Sequence, residues 1–173
     1  MTAENQDLFR DPQGNFMDIK DWPGIELNAD GSVRELIWAY EEDHDLQHEN
    51  QGRMCFEWLP ATVEEIWMTD RGFDATLECA RLPQKLRELH AGNNRISGTL
   101  VFEQLPTGIQ KLDLCKNLLT GGLDLRKIPS HLAVIEVVAN QLDGEVLFSQ
   151  ETTALQVVHA GENKLHGGIR LSS

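Results

Sequence analysis

Leu86-Arg-Glu-Leu89-His-Ala91-Gly-Asn-Asn94-Arg-Ile96-Ser-Gly98-Thr-Leu100-Val-Phe102-Glu-Gln-Leu105-Pro106 is the stretch from which the fold can be read, because it recurs. Shifted by 23 residues it becomes Ile109, Leu112, Leu114, Asn117, Leu119, Gly121, Leu123, Leu125, Ile128 and Pro129. The next shift gives Leu132, Ile135, Val137, Asn140, Leu142, Gly144, Val146 and Phe148. A third gives Leu155, Val158, Ala160, Asn163, Leu165, Gly167, Ile169 and Leu171. Upstream, Val63, Ile66, Met68, Phe73, Leu77, Cys79, Leu82 and Pro83 keep the register, with Arg71 in place of the Asn and Ala75 in place of the Gly. A sixth copy starts at Val33, Leu36 and Trp38 and closes at Phe56, Leu59 and Pro60, with seven extra residues around Glu41 to Arg53. A fixed period of this length is the signature of stacked repeats, none of which can bury its apolar stripe alone.

The chemistry of one copy predicts its shape. L-x-x-L-x-L puts alternate residues on one face of a strand, apolar inward and x outward. Asn94, Asn117, Asn140 and Asn163 follow the strand and are placed to bond backbone groups at the turn, as a ladder. Gly98, Gly121, Gly144 and Gly167 allow a turn or a close approach of neighbouring copies. The V-x-F or L-x-L pair is expected to return as a short second strand or as irregular or 3-10 coil, and L-P closes the unit. At about 4.8 Å per strand, six copies make an array roughly 25 Å long.

The pattern L-x-x-L-x-L-x-x-N-x-L-x-G-x-L-x-F-x-x-L-P-x-x resembles the leucine-rich repeat family over residues 31–173. Its second half is similar to the variant common in protist proteins, a relative of the plant-type repeat. Trp22-Pro-Gly24-Ile25 with Gly31-Ser-Val33 resembles the cap that opens such arrays, but lacks the cysteines of the secreted plant versions, which weakens the carry-over of a receptor role. The resemblance implies a leucine-rich repeat solenoid, β-rich with little helix, with a parallel sheet on its concave face. It also implies two parts, an N-terminal segment and cap over residues 1–30 and a six-coil array over 31–173. Proteins of this family usually bind other proteins without catalysis.

On this register the outward residues are the candidate binding surface. Ile37, Trp67, His90, Asp113, Glu136 and His159 form a central column; Glu35, Glu65, Glu88, Lys111, Val134 and Val157 form a second. Val138 lies on the far side of the central column, and Tyr40 lies one position further toward the loop. Trp67, exposed beside Ile37 and Tyr40, reads as an aromatic anchor. Its competing reading is packing against the cap or the 41–53 insertion. The Glu column reads as an attraction for a basic protein or peptide, or as simple solubility. Val134, Val138 and Val157 form an apolar patch; the alternative function is a structural subunit or fragment of a larger assembly or of a receptor or adaptor, contacting through this C-terminal edge, where a weak homodimer is also a candidate.

Composition narrows the classes. Twenty-eight acidic against fifteen basic residues give a net charge of −13, which argues against nucleic acid and anionic membrane surfaces. No apolar run reaches the roughly 18 residues of a spanning helix. MTAENQDLFRDPQ has neither the basic nor the apolar region of a signal peptide, and Cys55, Cys79 and Cys115 are an odd set without framework spacing. Reduced thiols and a cytoplasmic location are expected, although a mature secreted chain would look similar. No cofactor is expected. His44 and His48 share a helical spacing without a ligand frame, His90 and His159 are three strands apart, and Cys115 has His90 only diagonally across from it. No nucleophile elbow, P-loop or H-E-x-x-H occurs, so an enzyme is not expected.

Overall fold

The computed structural model describes residues 9–38, 52–149, 154–167 and 170–172. The N-terminal segment adds β1 (Ile25–Leu27) to a single long sheet into which the repeated L-x-L core sends one short strand per copy: β2 (Val33–Ile37), β3 (Glu65–Trp67), β4 (Glu88–His90), β5 (Lys111–Asp113), β6 (Val134–Glu136) and β7 (Val157–His159). All pairs from β2 to β7 are parallel and follow in chain order. Equivalent residues of successive copies therefore stand directly beside one another. The inward residues Leu36, Ile66, Leu89, Leu112 and Ile135 are at most 1% exposed and run as one apolar stripe through the core. Among the described residues the chain is β-rich, with parallel sheets and only short 3-10 turns for helix.

β1 pairs antiparallel with β2. The turn between them is held by Asn28, whose Nδ2 donates to Ser32 Oγ at 3.0 Å, and by Asp30, which accepts the Ser32 backbone N–H at 2.9 Å. This hairpin covers the edge of β2, which would otherwise present unpaired backbone. Behind it the Phe9 ring meets Trp22 edge-on at 4.8 Å and Trp38 at 6.0 Å. Trp22 Nε1 donates to Met17 O, and Trp38 Nε1 to Pro23 O, so both indoles bury ring area with their N–H groups satisfied.

The opposite face carries both short strands and 3-10 turns, in different places along each copy. Residues just after the Asn position pair in parallel as Arg53–Met54, Asp74–Leu77, Arg95–Thr99 and Leu118–Thr120. At the V-x-F or L-x-L pair, four copies make a 3-10 turn: Phe56–Trp58, Cys79–Arg81, Phe102–Gln104 and Leu125–Lys127. The reason lies in side-chain spacing. A 3-10 turn eclipses i and i+3, so Phe102 and Leu105 both point inward, at 2% and 5% exposure. Only toward the C-terminal end does the strand appear, where Val146–Ser149 pairs with Leu123–Asp124 and Arg170–Ser172.

The Asn ladder closes the four copies that carry the Asn. Asn117 Oδ1 accepts the Ile96 N–H at 2.9 Å, and its Nδ2 donates to Ala91 O, Leu114 O and Cys115 O. Asn94, Asn140 and Asn163 repeat the arrangement one copy earlier and later. Immediately before each Asn the backbone turns left-handed at a non-glycine residue: Asn93, Lys116, Ala139 and Glu162, with φ of 51–55°, and Asp70 precedes Arg71 at 59°. That turn ends the strand after three residues and aims the amide into the core. Gly98 is needed for a different reason. It has φ +116°, and a Cβ there would lie 2.7 Å from the Leu77 carbonyl oxygen.

Candidate functional site

The candidate surface is the outer face of the long sheet, and strand pairing alone assembles it. Ile37 pairs with Trp67, Trp67 with His90, His90 with Asp113, Asp113 with Glu136, and Glu136 with His159. Beside that row, Glu35, Glu65, Glu88, Lys111, Val134 and Val157 are paired in the same order. Both expected columns are thus brought together. Tyr40, His44 and His48 fall outside the described residues.

Side-chain detail corrects the expectation at three positions. Trp67 does not stand free. Its ring lies flat on the His90 imidazole, with centroids 3.6 Å apart and planes 6° from parallel. Such ring stacking contributes roughly 0.5–1.5 kcal/mol beyond area burial. Trp67 covers His90, which is only 5% exposed although its position points outward. Glu35 is likewise covered, at 9% exposure, and is paired with Arg34. Ile37 remains exposed, and Trp67, Glu65, Glu88, Lys111, Asp113, Glu136, Val134, Val138 and Val157 are half-buried. His159 is exposed, with Nδ1 3.4 Å from Glu136 Oε1.

Two carboxylates brace the stacked rings. The Trp67 indole N–H donates to Glu65 Oε2 at 3.1 Å, and His90 Nε2 lies 2.8 Å from Glu88 Oε2. Four side chains from two adjacent strands thus lock one another, and the platform is set before any partner arrives. The Glu35 carboxyl is pushed above the ordinary glutamate range, chiefly by burial and next by the charge of Glu65 on the neighbouring strand.

Glu26 was not singled out from the sequence, yet it pairs with Glu35 and extends the acidic row onto β1. Its position depends on the Asn28-Ala-Asp-Gly31 turn, a hairpin signal read only as part of a cap. Arg34 Nη2 reaches Glu26 Oε2 at 2.6 Å, so one guanidinium serves both Glu26 and Glu35. Trp58 is 80% exposed on the 3-10 turn of the opposite face.

The nucleophile and metal candidates gain little from the geometry. Cys115 has its thiol pushed up, mainly by burial, which holds it away from the reactive thiolate. Cys79 is core, at 2% exposure. Among the described residues, no group of three His, Cys, Asp or Glu side chains is placed to hold a metal ion. On the opposite face a groove of about 550 Å³ runs past Val101, Gly122, Arg126, Gly144 and Leu147. Its cations are already engaged: Arg126 bonds Asp124 through two nitrogens, and Lys127 Nζ lies 2.9 Å from Glu103. The groove offers no unopposed charge for an anion.

No protein-family model matches the chain, and no curated protein matches it. Among the described residues, no helix is long and apolar enough to cross a membrane.

Proposed function

We propose that this chain is a leucine-rich-repeat-type solenoid and a non-catalytic protein-binding module, taking a protein or peptide on the outer face of the long sheet. The observation that carries the reading is the Trp67–His90 platform. A large aromatic, braced by Glu65 and Glu88 and flanked by exposed Ile37, is the kind of anchor that dominates interfaces, because its conformational entropy is already spent. The solenoid reading is supported by the in-register parallel pairing at each 23-residue step and by the Asn ladder.

Affinity capture from the source cell, followed by direct titration of the purified partner, tests the proposal. Ile37→Glu and Trp67→Glu should abolish binding, with far-UV circular dichroism matching wild type. Ile37 is the safer of the two, since Trp67→Glu also uncovers His90. A partner held equally by both folded variants refutes the concave-face reading.

A second reading makes the chain a structural piece of a larger assembly, contacting through Val134, Val138 and Val157. The observation favouring it is the direct pairing of half-buried Val134 and Val157 beside Val138. Binding lost with Val138→Glu and kept with Ile37→Glu would select it.

A further inference from the structure

We infer that the partner is a basic segment with apolar flanks, lying obliquely across the strands along a continuous acidic stripe that runs from Glu26 on β1 to Glu136 on β6. The inference rests on the reading just proposed and names the chemistry of what that face takes.

The stripe follows from the two rows. In the first row the side chains are acidic from β1 to β4, at Glu26, Glu35, Glu65 and Glu88, then change to Lys111, Val134 and Val157. In the second row the order is reversed: Ile37, Trp67 and His90 come first, and the acids Asp113 and Glu136 follow on β5 and β6. The two rows exchange character between β4 and β5. Acid therefore continues from Glu88 across to Asp113, two positions along the neighbouring strand, rather than to Lys111 directly opposite. On one flank of the stripe lie Ile37 and Trp67; on the other flank, further along, lie Val134 and Val157. Five strand spacings of about 4.8 Å make the stripe roughly 24 Å long.

Charge complementarity determines the occupant. Glu26 and Glu35 share the single guanidinium of Arg34, and Glu65 takes an uncharged indole N–H, so the stripe keeps a negative excess. Like charges on directly opposed strand positions are unfavourable. The Glu35 pKa is raised first by its burial and second by the Glu65 charge beside it. Cationic groups laid along the stripe relieve that repulsion, and Lys111 beside the crossing repels a cation from the direct path and holds it to the oblique one.

A phage-displayed random dodecapeptide library selected on the full chain tests this. Enriched peptides, resynthesised with a fluorescein label and titrated by polarisation, should carry clustered Arg or Lys with apolar neighbours and weaken as salt rises. Asp113→Lys and Glu65→Lys should each lower affinity by about tenfold or more, Lys111→Glu should raise it severalfold, and Glu103→Lys on the opposite face should change nothing. Peptides that need Ile37 but show no basic enrichment overturn the stripe and leave the binding face standing. The same holds if they lose affinity with Glu65→Lys and not with Asp113→Lys. Peptides indifferent to Ile37→Glu, or no enrichment at all, overturn both.

Discussion

Asn117→Ala would remove the side chain that ties the third and fourth copies together, and its cost can be worked from the bonds. Asn117 is 5% exposed, so no water replaces what it does. The Ala91 and Leu114 carbonyls would each keep another donor, because Asn94 also bonds Ala91 O and Asn140 also bonds Leu114 O. The Ile96 N–H would lose the acceptor it has in Asn117 Oδ1. An unsatisfied buried donor costs about 1–3 kcal/mol, and the void left by the amide adds about 1 kcal/mol. The expected loss is roughly 2–4 kcal/mol, or roughly 4–16 °C in melting temperature at this chain length. Urea unfolding followed by far-UV circular dichroism measures it. Asn117→Asp sharpens the test. The carboxylate still accepts from Ile96 N–H but faces the Ala91 and Leu114 carbonyls as an acceptor without protons. It should be at least as damaging as alanine at pH 7 and recover in part on acidification. A loss under about 0.5 kcal/mol for Asn117→Ala would refute the idea that the ladder closes the units.

Three other outcomes follow from the geometry. Gly98→Ala should destabilise by about 1–3 kcal/mol by the same assay, since φ is +116° and the new Cβ meets Leu77 O at 2.7 Å. Ala139→Gly should stabilise by about 1 kcal/mol, because Ala139 holds a left-handed φ of 55°. Glu35→Gln should be more stable than wild type at pH 7. Burial and Glu65 raise the Glu35 pKa in the folded chain, so the folded state binds the proton more tightly, and the penalty on the ionised form is present at neutral pH. That advantage should shrink as pH falls toward the ordinary glutamate pKa of about 4.3; an advantage unchanged between pH 7 and pH 4 would refute it.

The period, the inward residues and the pairing partners were legible in the sequence because each is a local or strictly periodic property. A Leu every second residue faces one way, and 23 residues return the chain to the same place on the next copy. The Asn and Gly positions were legible for the same reason, as residues chosen for one backbone task. The left-handed residue ahead of each Asn was not, because Asp70, Asn93, Lys116, Ala139 and Glu162 share no side-chain chemistry. Tertiary structure alone decided that Trp67 lies flat over His90, that Arg34 serves Glu26 and Glu35 together, and that Phe102 begins a turn instead of a strand. Each of these depends on which side chain fills the space beside it on the next strand or in the core. Spacing along the chain determines which residues become neighbours, and only their packed shapes and charges determine how they meet.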